Sequence, residues 1–378
     1  MHCFFLGRNT ELSLLELEMV FGQRPQLIRG DIALMDGISS PELQQDFLGG
    51  TVKITEVLAE ATQDQLMEIC VEVLEKEAAK GKKIRLALNY FGPQKQDFLV
   101  IKKILIPLKK QVSFPMRFVN NNFSNVVSAV TLKQVLQKDG IELNLIERER
   151  GRFLITRTLA CQNIDAYSDR DYGKPRRDAK VGMLPPKLAQ ILLNLAQPFK
   201  SVWDPFCGTG TVLIEALLAG KKVIGSDLSA DMVEACTTNV AWLKERYQIP
   251  YNPSEIFQHD ATQEKKISVD VVVTEGYLGM PKSKMPDFSE LKATDDQLSH
   301  LYEKFLFQCK KNKISTIILC LPVYRMQEGP GFMKKTLASI LQSGYNLTAL
   351  SEKPRPTVLY KRDEQFVFRE ILKLELET

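Results

Sequence analysis

The chain has 378 residues, of which 44% are hydrophobic and 25% charged, so it has the composition of a water-soluble globular protein and the length for two or three domains. No run approaches the roughly 18 apolar residues that a membrane helix needs. The start of the chain is too polar for a signal peptide, so we expect a cytoplasmic protein. The seven scattered cysteines form no Cys-x-x-Cys pair, and the three histidines lie far apart, which predicts neither disulfides nor a metal site.

The net charge of +4 does not indicate a class of binding partner, but the distribution of charge along the chain does. Residues 80–117 contain ten lysines and arginines against the single acid Asp97. This excess is typical of a surface that binds phosphates, although a solvated face of an ordinary domain is the alternative. A second basic cluster, Arg170, Lys174, Arg176 and Arg177, follows and is placed to hold a phosphate backbone. The candidate RNA-binding residues are Lys82, Lys83, Arg85, Lys102, Lys103, Lys109, Lys110, Arg117, Arg176 and Arg177.

The first third of the chain mixes helix and strand patterns, which indicates an α+β region. Its predicted elements, in chain order, are a helix at 10–21, a strand at 32–35, a helix at 63–79, a strand at 83–90, a helix at 125–139, and strands at 142–146 and 152–159. The next stretch is rich in charge, glycine and proline and breaks the periodicity, which predicts a linker or structured loop.

From residue 186 the pattern becomes a regular alternation of strands and helices. The predicted strands are 202–206, 222–228, 255–260, 269–275 and 315–321, and the predicted helices are 186–196, 211–219, 230–247, 289–310 and 331–343. Pieces at 358–361 and 365–374 can close the sheet as an antiparallel hairpin. This predicts an α/β, Rossmann-like domain with a mostly parallel seven-stranded sheet. The expected boundaries are an α+β region over 1–160, a linker over 161–185 and the α/β domain over 186–378.

A glycine-containing turn follows the first strand of the α/β domain. It consists of Asp204, Pro205, Phe206, Cys207, Gly208, Thr209, Gly210 and Thr211. Gly208 and Gly210 lack β-carbons, so a ligand can lie across the turn. No Gly-Lys-Ser/Thr follows, which excludes a Walker phosphate loop, and Ile214 stands where a dinucleotide fold wants a third glycine. The turn therefore predicts a site for a nucleoside that lacks a pyrophosphate.

Acidic residues end the next two strands. Asp227 can accept hydrogen bonds from both ribose hydroxyls, and Asp260 can accept one from the amine of adenine, although helix capping is the alternative role for each. Together with Asp204 they suit a ligand with ammonium, ribose and adenine groups, which S-adenosylmethionine has. The candidate cofactor-binding residues are Asp204, Phe206, Cys207, Gly208, Thr209, Gly210, Asp227, Leu228, Asp260 and Ala261.

The chain resembles a known family in three of its motifs. These are the turn at 204–211, the segment from Arg170 to Asp178 (Arg-Asp-Tyr-Gly-Lys-Pro-x-Arg-Asp), and Gly182-Met-Leu-Pro-Pro-Lys-Leu-Ala189. They are similar to the THUMP-containing tRNA guanine-N2-methyltransferases, which act at position 10 of tRNA in archaea and eukaryotes. The front third resembles their ferredoxin-like and THUMP region at 114–117, 128–129 and 140–143. The resemblance implies S-adenosylmethionine as cofactor, tRNA as partner, and a cofactor pocket lined by the residues above; the need for a small activating subunit and the oligomeric state stay open.

The catalytic motif departs from this family. Its amino-methyltransferases end the fourth strand with Asp/Asn-Pro-Pro-Tyr/Phe, in which the acid and a backbone carbonyl accept the amine protons and the ring stacks on the base. Most of the rate then comes from positioning and electrostatics. Here Thr274 is followed by Glu275, Gly276, Tyr277 and Leu278. The candidate catalytic residues are Glu275 as acceptor, Tyr277 as stacking ring, and Thr274.

These observations predict an S-adenosylmethionine-dependent RNA methyltransferase, with guanine N2 of tRNA as its target. Two alternatives stay open at this point. One is an RNA-binding protein on a degenerate methyltransferase scaffold, since the motif at Glu275 is altered. The other is a base-amino methyltransferase for ribosomal RNA or DNA.

Overall fold

The fold is described from a computed structural model. It describes residues 1–78, 84–92, 99–120, 129–136, 140–149, 151–177, 183–250, 254–279, 284–351, 355–362 and 364–377. They form two compact units: the first is 1–10, 24–46 and 51–164, and the second is 11–23, 47–50 and 165–378.

Strands and helices are mixed along the first 161 residues. In chain order, the elements are β1 His2–Leu6, α1 Thr10–Phe21, β2 Gln26–Arg29, β3 Ile32–Met35, a 3-10 helix Pro41–Phe47, β4 Thr51–Thr62, α2 Leu66–Ala78, β5 Ile84–Phe91, α3 Leu99–Gln111, β6 Met116–Phe118, α4 Ala129–Leu136, β7 Ile141–Glu149 and β8 Arg152–Cys161. The strands of the first unit make an eight-stranded sheet in the order β2-β3-β1-β4-β8-β7-β5-β6. Apolar residues of α2 and α3, such as Leu74 and Leu105, share one core with Leu86 and Leu143 of the strands, because each helix has one apolar face.

The rest of the chain begins with two helices and continues with the strands of a second sheet. In chain order, the elements are α5 Ile164–Tyr172, α6 Pro186–Leu195, β9 Ser201–Asp204, α7 Thr211–Leu218, β10 Lys222–Asp227, α8 Ala230–Arg246, β11 Ser254–Gln258, β12 Val271–Thr274, α9 Phe288–Lys311, β13 Thr316–Met326, β14 Gly329–Phe332, α10 Lys334–Leu341, β15 Tyr345–Thr348, β16 Val358–Tyr360 and β17 Val367–Leu376.

The second unit is built on a sheet whose main path runs β11-β10-β9-β12-β13-β17-β15. The first five strands are parallel, and β17 is antiparallel to β13. This main path has seven, mostly parallel strands, as predicted, and β14 and β16 extend the sheet to nine strands by pairing with β13 and β17. The carboxyl ends of β9, β10 and β12 lie together at one edge, which is where open α/β sheets bind ligands.

Two predicted boundaries differ from the structure. The stretch predicted as a linker over 161–185 contains helix α5, and the division between the units falls after Ile164. Helix α1 belongs to the second unit, which no local pattern reveals. Its buried Glu16 accepts hydrogen bonds from the backbone of Gly49 and Gly50 and from Asn194. These three donors satisfy a carboxyl group that burial would otherwise destabilise.

Several strands, β14 among them, were not predicted from the sequence. The predicted helix 331–343 is shortened to α10 because β14 precedes it and pairs with β13. The residues of β14, Gly-Pro-Gly-Phe, have poor strand propensity, so only this pairing makes them a strand. The predicted late hairpin is confirmed, since β16 pairs antiparallel with β17.

Candidate functional site

The turn between β9 and α7 has the backbone that its glycines predict. Gly208 has φ +50° and Gly210 has φ +87°, in the left-handed region that favours glycine. A β-carbon on Gly210 would lie 2.7 Å from Cys236 Sγ, so this glycine lets α8 approach the turn. A β-carbon on Gly208 would meet nothing within 4 Å, so this glycine faces open space that a ligand can fill.

Asp227, at the end of β10, is fixed by two backbone donors. Its Oδ2 accepts from Gly208 N at 2.9 Å and its Oδ1 accepts from Ser229 N at 2.9 Å. Asp227 is therefore held directly beside the glycine turn. Each carboxylate oxygen keeps a second lone pair for a ligand hydroxyl. The next residue, Leu228, is 69% exposed, which leaves an apolar side chain beside this carboxylate.

Asp204 connects the turn to the predicted catalytic loop. Its side chain is buried and accepts hydrogen bonds from Phe206 N, at 3.2 Å, and from Thr274. Thr274 Oγ1 in turn accepts from Gly276 N at 3.1 Å. Burial raises the pKa of Asp204 to about 7, with smaller contributions from the charges of Asp227 and Glu275. Thr274 is fully buried, so it positions the loop and does not face a substrate.

Asp260, the predicted partner of the adenine amine, makes hydrogen bonds within its own turn. Asp260 Oδ1 accepts from both the backbone and the hydroxyl of Thr262, at 2.9 and 2.7 Å, so its carboxylate caps its own turn, the alternative to adenine binding. The backbone N–H of Thr262 is the main reason why the pKa of Asp260 is lowered. Ala261 is buried in the core and faces away from solvent.

Two other residues of the turn, Phe206 and Cys207, pack against the core. Phe206 contacts the rings of Tyr302 and Phe305 edge-on, with centroids 6.2 and 5.5 Å apart. The Cys207 thiol is buried, and a hydrogen bond with Cys236 and this burial raise its pKa. Both side chains therefore support the turn from the core.

Lys174 is a residue of this site that was not predicted to contact the cofactor turn. It is buried, and its Nζ donates to Thr209 Oγ1 at 3.2 Å and Thr211 Oγ1 at 3.1 Å. Burial lowers its pKa. The only signal in the sequence was its place in the segment 170–178, where it was assigned to a basic surface cluster.

The predicted catalytic loop has an ion-pair partner that the sequence did not reveal. Glu275 Oε1 accepts from Arg369 Nε at 2.5 Å. Arg369 lies on β17 opposite Pro322 of β13, and only 5% of it is exposed. Arg369 is therefore a buried partner of the loop and not a surface charge.

The loop after Glu275 is held by its glycines and one tyrosine. Gly276 and Gly279 have φ +70° and +85°, so the path differs from a Pro-Pro segment, whose φ is near −65°. Tyr277 N donates to Tyr302 Oη at 3.0 Å, and the half-buried Tyr277 ring packs on the core. The ring keeps partial exposure at the carboxyl edge of the sheet.

The candidate RNA-binding residues fall into three groups. Lys82 and Lys83 lie outside the described residues, and for Lys102 only the backbone in α3 is described. Arg85 is half-buried, and Lys103, Lys109, Lys110 and Arg117 are exposed on the first unit. Arg176 and Arg177 are exposed on the second unit, where Arg176 contacts Glu234 and Arg177 contacts the ring of Tyr172.

Two further basic residues were wrongly assigned to the surface cluster near residue 176. Arg170 is buried and donates to Glu215 Oε1 at 2.7 Å, and Lys174 is buried against the cofactor turn. Within the described residues, no helix is long and apolar enough to cross a membrane, and no group of three or more acidic, cysteine or histidine residues could hold a metal ion.

The sheet order and the glycine turn define the fold of the second unit as Rossmann-like. Residues 174–313 match the family UPF0020, described as an RMKL-like methyltransferase domain. Among solved structures, the chain is similar to TrmN from Thermus thermophilus, with a TM-score of 0.51 and 15% identity, covering 99% of this chain and 98% of that one. It is also similar to SMU.472, solved as a complex with SAH, with a TM-score of 0.50 and 13% identity over 100% and 98% of the two chains. These similarities show the fold.

Curated relatives carry a more specific name. A tRNA (guanine(10)-N2)-dimethyltransferase from Methanothermobacter thermautotrophicus is 31% identical over 45% of this chain and 47% of its own length. One of the same name from Pyrococcus abyssi is 46% identical over 59 residues, which are 16% of this chain and 18% of its own. The chain thus covers less than half the length of these relatives.

Proposed function

We propose that this protein is an S-adenosylmethionine-dependent methyltransferase that modifies guanine N2 in tRNA. The observation that carries the proposal is the turn at 207–210, where Gly208 borders open space and donates its N–H to Asp227. The names of the curated relatives support the choice of base and RNA.

The residues at the turn fit the three parts of this cofactor. Asp227 has lone pairs left for ribose hydroxyls, and the exposed Leu228 offers an apolar surface to adenine. Asp204, when ionised, complements the ammonium group. The cofactor supplies a methyl group on a cationic sulfur, and the acids near the turn stabilise that charge.

The loop after β12 would position the base. Glu275 accepts a hydrogen bond from the exocyclic amine, and the partly exposed ring of Tyr277 stacks on the base. The hydrogen bonds that link Asp204 to Thr274 and Thr274 to Gly276 fix this loop relative to the cofactor turn. Because the amine is a poor nucleophile, the rate of methyl transfer depends on this positioning more than on a strong base.

The first unit would bind the tRNA, as the resemblance to a THUMP region implies. Its exposed Lys103, Lys109, Lys110 and Arg117 provide charges for phosphate contacts, which fix the position of an RNA without reading its sequence. We place the reaction in the cytoplasm; all seven cysteines are free thiols, which fits a reducing compartment.

Two measurements test this proposal. We expect S-adenosylhomocysteine to bind with a calorimetric signal, and labelled methyl groups to reach tRNA that lacks the modification, with N2-methylated guanosine found by nucleoside analysis. Glu275→Gln, which keeps the size of the side chain, should lower transfer at least about a hundredfold while cofactor affinity is nearly unchanged. Binding without transfer to any RNA would contradict the proposal.

A second candidate function is an RNA-binding protein that has lost catalysis. One observation favours it: the charge of Glu275 is already neutralised by an ion pair with Arg369. It predicts tRNA and cofactor binding in the same assays without methyl transfer.

A further inference from the structure

The ion pair between Glu275 and Arg369 lies at the substrate edge of the proposed active site. Glu275 directly follows Thr274, which hydrogen-bonds to Asp204 of the cofactor turn. Arg369 lies beside the carboxyl half of β13, the strand next to β12. The pair is therefore next to the place where the reacting base would lie.

Burial of this ion pair costs free energy, so its presence indicates a role other than stability. Arg369 is 5% exposed, and the side chain of Glu275 is 17% exposed. Removing two charges from water often costs more free energy than their attraction returns, so such pairs are weak evidence for stability. An unpaired cation here would also repel a cationic sulfonium. Glu275 removes this repulsion and still leaves the donors of Arg369 in place.

The pair keeps hydrogen-bonding capacity on both partners. Arg369 uses Nε for Glu275 Oε1 and Nη1 for Gln365 Oε1, the latter at 3.3 Å. Among the residues that the structure describes, Arg369 Nη2 and Glu275 Oε2 have no hydrogen-bond partner. With the second lone pair of Glu275 Oε1, the carboxylate offers acceptor positions on both oxygens beside the donor of Arg369 Nη2.

This pattern is complementary to one base edge. Guanine presents two donors, N2–H and N1–H, followed by the acceptor O6, whereas adenine presents an amine donor followed by an acceptor at N1. A carboxylate matches the first two groups of guanine, and a guanidinium matches the third.

We propose that Glu275 and Arg369 together recognise guanine, with Glu275 accepting from N2–H and N1–H and Arg369 donating to O6. This inference rests on the proposed function and extends it by naming Arg369 as a residue that determines base specificity. It also gives a reason for the glutamate in the altered motif, because the acid must reach both the base and the arginine.

The test uses an analogue of the target base. Once nucleoside analysis has located the methylated guanosine, a tRNA is prepared with 2-aminopurine there, which keeps the amine but lacks O6 and N1–H. Single-turnover methylation by the wild-type protein should favour guanosine by roughly 10- to 100-fold. Arg369→Met should lower this ratio by about tenfold, and Arg369→Lys, which keeps a donor, should lower it less.

A matched control is an arginine that pairs with the residue next to Arg369 on β17. Arg355 forms an ion pair with the buried Glu370 of β17 and does not contact Glu275. Arg355→Met should therefore leave the ratio between the two bases unchanged, even where it lowers the melting temperature.

The outcomes separate this inference from the proposed function. If the wild type methylates no guanine N2, the proposed function fails. If it methylates guanine N2 but treats 2-aminopurine equally well, only the inference fails. An Arg369→Met variant that binds S-adenosylhomocysteine and keeps the wild-type ratio also overturns it. A variant that binds no cofactor is misfolded, and the wild-type and Arg369→Lys ratios then decide.

Discussion

Gly208 donates its backbone N–H to Asp227 Oδ2 at 2.9 Å, which joins the turn after β9 to the end of β10. The carboxylate is thereby held beside the open face of the glycine. Since Asn has one acceptor oxygen where Asp has two, Asp227→Asn should weaken the contacts to ribose as well as the turn. We expect a loss of about 10- to 100-fold in affinity for S-adenosylhomocysteine by calorimetry, equal to about 1.5–3 kcal/mol.

Asp231 provides the control for that substitution. It lies in the first turn of α8, four residues further on, and is exposed. Asp231→Asn removes the same charge without touching the turn, so affinity should stay within about twofold. Equal losses in the two variants would show that net charge, and not the Asp227 contacts, sets the affinity.

The open space at Gly208 leads to a second prediction. Gly208→Ala introduces a methyl group that meets no protein atom but fills the space assigned to the cofactor. Gly220→Ala is the matched variant, because Gly220 also has positive φ, +72°, and open surroundings. Both should lose about 1 kcal/mol of unfolding free energy from backbone strain.

Only Gly208→Ala should abolish cofactor binding. Calorimetry with S-adenosylhomocysteine, alongside urea unfolding of both variants, separates the two effects. If Gly208→Ala binds the cofactor like the wild type, the ligand does not lie across this turn.

The features of the site that the sequence predicted are those fixed by local geometry. Gly208, Gly210 and Asp227 lie in one β-α-β unit, so their spacing along the chain determines their spacing in space. Asp260 shows the limit of this reasoning, because a strand-end carboxylate can cap its own turn as readily as bind a ligand.

The features that the sequence missed depend on distant partners. Glu275 and Arg369 are 94 residues apart, and they meet because β17 inserts antiparallel beside β13. Helix α1 joins the second unit through Glu16 and Asn194, which are 178 residues apart. Neither pairing has a periodic or local pattern that a single sequence could reveal.

The pKa of Asp204 predicts how cofactor binding depends on pH. Burial raises that pKa to about 7, so the side chain is mostly protonated at pH 6 and mostly ionised at pH 8. Only the ionised form attracts the ammonium group, so affinity for S-adenosylhomocysteine should rise about tenfold from pH 6 to pH 8. Asp204→Asn cannot ionise and should bind weakly with little change over this range.

Stability should change with pH in the opposite direction. Asp204 holds its proton up to about pH 7 in the folded protein, whereas in the unfolded chain it does so only up to about pH 3.9. Between these values the folded state binds more protons, so its contribution to the free energy of unfolding falls as pH rises. Glu16, whose pKa burial also raises to about 7, contributes with the same sign. Urea unfolding of Asp204→Asn and Glu16→Gln should each show a weaker fall between pH 5 and pH 7 than the wild type; an unchanged slope in Asp204→Asn would contradict the assignment of that pKa.

The basic surface of the first unit leads to the last prediction. Lys109 and Lys110 are exposed in the last turn of α3, and Lys109→Glu/Lys110→Glu reverses their charge. If they contact tRNA phosphates, affinity should fall, and the slope of log K against log salt should become shallower by about 1.4 to 1.8. Filter binding over a salt series measures both.

The control for this pair lies on the second unit. Lys200 and Lys222 are exposed at the amino ends of β9 and β10, the edge of the sheet opposite the cofactor turn. Lys200→Glu/Lys222→Glu changes the net charge by the same amount, so it should reproduce only the part of the loss that comes from overall charge. An equal loss in affinity and slope for both double variants would show that tRNA is attracted by net charge and that α3 makes no phosphate contacts.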